Sequence, residues 1–135
     1  MGTIKKFEDL GIWKHSRVIC RDVYAVITNG TLARDWALRD QMNKSSGSIM
    51  HNIAEWFGRD GRNEFLQFLS FSKSSASELR SQLYRALDRG HVNVELFDEL
   101  SRRILEQEHM TAGFMKYLRN SGIKGLKYKT NDDLR

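Results

Sequence analysis

The sequence has no proline and one cysteine, Cys20. Without proline nothing forces a break into a helix, so helices can run long and other residues must end them. A lone cysteine excludes an intramolecular disulfide and agrees with a reducing compartment. No apolar run is long enough to span a bilayer, which excludes a membrane helix. The opening MGTIKKFEDLGIW lacks an apolar signal core and a cleavage site, so the sequence predicts a cytoplasmic protein. Gly2 follows Met1 as in a myristoylation signal, but Lys6 stands where that signal has Ser or Thr. Acidic residues are the minority, 17 against 22 Lys and Arg, for a net charge of +5. That excess permits a polyanionic partner without requiring one.

What the chain does have is helical periodicity. Leu38, Met42, Ile49, Ile53 and Trp56 recur at spacings of 4, 7, 4 and 3, the period of an apolar stripe facing a core. Glycines at Gly30, at Gly58 with Gly61, at Gly90, and at Gly122 with Gly125 divide the chain into four such stretches. The expected helices cover about 7–29, 31–57, 62–89 and 94–120, each roughly 30 to 40 Å long at 1.5 Å per residue. Residues 1–121 then form one domain, and 122–135 a polar basic tail. Matched lengths and short connections predict an all-α, antiparallel up-down-up-down four-helix bundle.

The stripes can be named. On the first helix they are Ile12, Ser16, Ile19, Val23 and Val26, with Cys20 as a small core residue. Around Gly47 the residues Ser45, Ser46 and Ser48 are all small and predict a close-packed crossing. A phosphate cradle would instead sit at a strand-to-helix turn with a following Lys. The third helix is expected to be capped by Asp60 or Asn63 and to bury Phe65, Phe68, Ser72, Ser75, Ala76, Leu79, Leu83 and Ala86. The fourth buries Phe97, Leu100, Ile104, Thr111, Phe114, Met115 and Leu118.

Catalytic and metal-binding patterns are weak. A carboxylate-bridged metal in a bundle needs two Glu-x-x-His elements, and only Glu106 to His109 fits. Both project away from their helix's stripe. His51 and Glu55, four apart, suit a surface pair better than an acid–base couple, which would need a pocket joining them. No nucleophile elbow and no zinc spacing of the four histidines occurs. The reading assigns no catalytic residue, no metal and no cofactor.

The stretch QMNKSSGSIMHNIAEWFGRDGRNEFLQFLSFSKSSASELRSQL carries a resemblance. Gln41, Ser48-Ile49, Asn52-Ile53-Ala54-Glu55, Phe65 to Phe71 and Ser75-Ala76-Ser77-Glu78-Leu79 resemble the signature of the four-helix-bundle proteins encoded as intervening sequences in 23S ribosomal RNA genes. The accessory proteins of diversity-generating retroelements share that signature. Phe7-Glu8-Asp9-Leu10 with Trp13 is similar to the family's first helix. Trp56 replaces a usual Gly after Glu55, and Ser74 stands where Gly is common. Trp56 lies on the core-facing arc, where it would seal the bundle end or an interface. The resemblance implies a cytoplasmic bacterial protein whose bundles assemble as a homopentamer. It also implies kinship with proteins that bind nucleic acid and a reverse transcriptase through a basic barrel surface.

Two functional expectations follow. The first is a non-enzymatic homo-oligomeric scaffold binding RNA or DNA through repeated basic patches, with Arg59, Arg62, Lys73, Arg80, Tyr84, Lys116, Arg119, Lys124, Lys127 and Lys129 as candidate contacts. Leu66, Lys73, Ser77, Arg80 and Tyr84 line up on one outer face of the third helix, which suits either base stacking with phosphate contacts or the edge of a subunit interface. The second expectation is a protein-interaction module that binds a reverse transcriptase or another bacterial protein. Its motivation is the aromatic and apolar surplus at Trp36, Leu66 and Tyr84.

Overall fold

The computed structural model describes residues 4–121; Lys124, Lys127 and Lys129 lie outside them. The described residues form four α-helices and no strand: α1 (Gly11–Ile27), α2 (Trp36–Gly58), α3 (Gln67–Asp88) and α4 (Val94–Ser121). Their apolar stripes face one another as a four-helix bundle. Three short 3₁₀ turns, Phe7–Asp9, Gly30–Arg34 and Asn63–Phe65, precede α1, α2 and α3.

These turns are where the helices depart from the sequence expectation. α2 starts at Trp36 instead of near Thr31, because Gly30 takes a positive φ of 62° and Leu32 is drawn into the core by the tighter turn. The expected caps of α3 are employed elsewhere. Asp60 and Gly61 both adopt left-handed φ, 63° and 62°, to reverse the chain after α2. Asn63 Nδ2 donates across to the Leu118 carbonyl of α4 at 3.1 Å. Since α3 begins only at Gln67, its buried stripe starts at Leu69, which is fully buried, while Phe65 and Phe68 are half-exposed at the rim. Asn93 caps α4, its Oδ1 accepting the Leu96 N–H at 2.9 Å.

The core has two apolar clusters. One gathers Ile19, Val23, Leu38, Met42, Leu79, Leu83, Leu100 and Ile104. The other gathers Leu10, Ile12, Ile53, Trp56, Phe57, Leu69, Met115 and Leu118. Trp56 is fully buried, with its Nε1–H donating to the Arg62 carbonyl at 3.1 Å and its ring edge-on to Phe114.

Between the clusters lies a buried polar belt. Ser72 donates to the Ile49 carbonyl at 2.7 Å. Gln107 Nε2 donates to the Ile12 carbonyl at 3.0 Å, and the Thr111 hydroxyl to the Gln107 carbonyl at 2.9 Å. Ser16 closes onto the Trp13 carbonyl at 2.7 Å. Each buried hydroxyl or amide donor named here has an acceptor, which keeps a polar layer affordable inside a core.

The serines near Gly47 do form a close crossing, with Ser48 and Ser75 hydroxyls 2.9 Å apart and Ser45 donating to Glu78 at 3.3 Å. Gly47 takes no part, since a methyl group added there would meet no atom within 4 Å. Cys20 is half-buried at the α1/α2 seam, its sulfur 3.9 Å from the Ser46 hydroxyl.

Gly47→Ala is therefore expected to raise unfolding free energy by about 0.5–1 kcal/mol through helix propensity alone, measured by urea denaturation. At the other end of the bundle Asp35 accepts from Arg89 and from His91, each at 2.8 Å. Those bonds, Arg89 first, lower its pKa from 3.8 to about 2. A depressed carboxylate contributes stability that is complete above its unfolded pKa and disappears as pH falls through its folded one. The melting-temperature advantage over Asp35→Asn should accordingly hold above about pH 4 and shrink from there toward pH 2 in a thermal melt series.

Candidate functional site

The predicted cations are scattered, and several are already partnered. The Arg59 guanidinium lies 5.0 Å from the ring centres of both Phe65 and Phe68 and 3.5 Å from Glu55. Arg62 pairs with Glu64 at 3.3 Å. Arg80 is partly exposed, and its Nε sits 2.9 Å from Glu108, which is only 8 % exposed and also receives the Ser77 hydroxyl. A carboxylate buried to that degree requires its cation, so Arg80 holds α3 to α4. Tyr84 rests edge-on against Phe97, ring centres 4.7 Å apart, and remains 55 % exposed. Lys73, Lys116 and Arg119 are exposed and form no ion pair among the described residues.

A second cationic surface escaped the sequence reading. Lys14, Arg17 and Arg21 recur at spacings of 3 and 4 on the side of α1 opposite its buried Ile12–Ser16–Ile19–Val23 stripe. All three are exposed, and none pairs with a carboxylate among the described residues. Tyr24 and Val18 border them in the open, and Arg17 lies 5.9 Å from the Trp13 ring. Three uncompensated cations beside aromatic rings can hold consecutive phosphates and stack on bases. The spacing of 3 and 4 is present in the sequence, but that these cations stay unpaired depends on the neighbouring helices.

Four of the signature residues share one location. Gln41, Ser48, Ser75 and Glu78 line one polar groove of about 620 Å³ between α2 and α3, together with Lys44, Ser45 and Gln82. Asn52 supports it from below, its Nδ2 donating at 2.9 Å to both the carbonyl and the hydroxyl of Ser48. Arg85 donates to the Gln41 side-chain oxygen at 2.7 Å at its upper end. Glu55 and Trp56 lie elsewhere, the first beside Arg59 and the second in the core.

The chain matches the family described as 23S rRNA-intervening sequence protein over residues 8–113. It belongs to that family. The match covers most of α4 and all of α1 to α3, so the family's sequence pattern and this bundle coincide. The family description names no reaction. No curated protein matches the chain.

His51 and Glu55 do share a depression of about 490 Å³ with Ala54, Gly58 and Arg59. All of it comes from α2 and its C-terminal cap, and Glu55 lies 3.5 Å from Arg59. Glu106 and His109 are exposed, and Glu106 lies 3.7 Å from His15 across the α1/α4 seam. Among the described residues no three His, Cys, Asp or Glu side chains gather to hold a metal, and no helix is long and apolar enough to cross a membrane.

Replacing Arg80 by Ala strands the Glu108 carboxylate inside the α3/α4 seam. Because Arg80 is itself about a third exposed, the expected loss is about 2 kcal/mol, below that of a fully buried pair. Lys73→Ala on the same helix should change stability by less than about 0.5 kcal/mol, so urea midpoints separate the two roles.

Proposed function

We propose that this family member is a non-enzymatic, homo-oligomeric four-helix-bundle scaffold that binds RNA or DNA. The observation that carries the reading is the outer face of α1, where Lys14, Arg17 and Arg21 are exposed at spacings of 3 and 4 and have no carboxylate partner among the described residues. Lys73, Lys116 and Arg119 add further unpaired cations, and Arg59 and Arg62 lie at the α2–α3 connection, partly offset by Glu55 and Glu64. Arg80 is paired with Glu108, which weakens the case for it as a primary contact.

The same reading makes the bundle antiparallel and up-down-up-down. Its support is that contact pairs run in opposite senses: Gln41 with Arg85, Ser45 with Glu78 and Ser48 with Ser75 between α2 and α3, and Asp22 with Arg103 and His15 with Gln107 between α1 and α4. Assembly as a cytoplasmic homopentamer, and kinship with retroelement accessory proteins, rest on the resemblance of the signature. Five copies of a +5 chain would carry about +25 and present the α1 face five times, so that weak single contacts combine. A protein partner is the second reading, favoured by Trp36, which stands 64 % exposed with the Arg39 guanidinium 4.3 Å above its ring.

Light scattering should give a mass about five times the 15.7 kDa chain. Binding to a labelled single-stranded RNA, followed by anisotropy between about 50 and 200 mM salt, should weaken by roughly tenfold or more. Lys14, Arg17 and Arg21 replaced together by Ala should reduce affinity and flatten the log–log salt slope by about 2, at about 0.7 per released counterion. A salt-independent response, or an unchanged slope in the triple variant, removes this reading. Capture of a protein that survives nuclease and high salt would then support the second one.

A further inference from the structure

The groove between α2 and α3 is built differently from the basic surfaces. Its two walls carry opposite charges: Lys44 on α2, and Glu78 on α3. Lys44 has no hydrogen-bond or ion-pair partner among the described residues. Glu78 receives only the Ser45 hydroxyl, at 3.3 Å. The two do not pair with each other, although they line one space of about 620 Å³, well within the range of about 300–1,000 Å³ typical of small-molecule sites.

The wall behind these groups is held in place. Ser45 is buried, Ser48 and Ser75 fix each other at 2.9 Å, and Asn52 fixes Ser48. Gln82, only 8 % exposed, lines the same groove with a side-chain oxygen that has no donor. A buried acceptor left unsatisfied is costly and calls for a partner. α1 contributes no residue to the groove, so its chemistry is separate from the phosphate-binding face proposed above.

We propose that the α2/α3 groove binds a small zwitterion of the free amino-acid class, with Lys44 taking its carboxylate and Glu78 its ammonium. Opposite charges on facing walls select against a simple anion, which Glu78 repels, and against a neutral polyol, which leaves both charges unanswered. The ligand's remaining N–H or side-chain donors face the serine hydroxyls and the Gln82 amide. Lys44 and Glu78 are both exposed at the groove's mouth, so either can be changed without disturbing the core.

The experiment is a calorimetric and thermal-shift titration of the full chain with each free amino acid. N-acetyl amino-acid amides, glycerol and inorganic phosphate serve as comparisons. At least one free amino acid should bind and raise the melting temperature, while its charge-blocked derivative, glycerol and phosphate do not. Lys44→Ala and Glu78→Gln should each weaken that binding about tenfold, the scale of one lost charge-assisted hydrogen bond, with unchanged circular dichroism. The α1 triple variant should bind the amino acid as the unaltered chain does, which separates this site from nucleic-acid binding. The proposal is overturned if no amino acid binds at millimolar concentration. It is equally overturned if the blocked derivative, glycerol or phosphate binds as well, or if binding survives both substitutions.

Discussion

The constraint on which this bundle depends is the pairing of the polar belt that divides its core. Apolar stripes alone bring four helices together, but they tolerate sliding, because one leucine contact resembles another. The belt does not. Ser72 finds the Ile49 carbonyl, and Gln107 finds Ile12, only when α2, α3, α1 and α4 stand at their present heights. Moving one helix by a turn would leave such groups buried without partners, at about 1–3 kcal/mol each. A few buried bonds thus set the register from which the outer surfaces follow.

Register then decides which charges are available. The ion pair between Arg80 and Glu108 uses a cation that sequence alone would leave on the surface, and Arg103 is likewise held between Asp22 and Glu99. The hydrogen bonds to Glu99 and Asp22 raise the Arg103 pKa further above its ordinary value, so it stays charged at any working pH. By contrast α1 turns Lys14, Arg17 and Arg21 outward, and none of them forms an ion pair among the described residues. A basic chain is therefore not uniformly basic in effect: its interior seams consume some cations and one helix face retains others. The α2/α3 seam shows a third outcome, in which a cation and an anion line one groove without neutralising each other.

Much of the fold was legible because amphipathic periodicity is a local property. The stripe from Leu38 to Trp56 and the one from Ser72 to Ala86 need only helical geometry to be read; both are buried as expected except Ser75, which is half-buried and lines the α2/α3 groove. The N-terminal ends were less legible. Whether Asn63 caps α3 or reaches Leu118 depends on where α4 ends in space, and whether Leu69 or Phe68 enters the core depends on where the turn before α3 stops. Buried Gln107 and Glu108 were also missed, since polarity argues for exposure until a partner on another helix is known.

The sequence by itself determined four helices, an all-α class and a family, because periodicity, the lack of proline and a signature from Gln41 to Glu78 are written along the chain. Only the tertiary structure decided that Gln41, Ser48, Ser75 and Glu78 share one groove, and that Arg80 is paired with the buried Glu108 while Arg17 has no ion-pair partner among the described residues. The physical reason is range. Backbone propensity and burial patterns act over a few residues, whereas the neutralisation of a charge or the enclosure of a groove requires side chains that meet from separate helices.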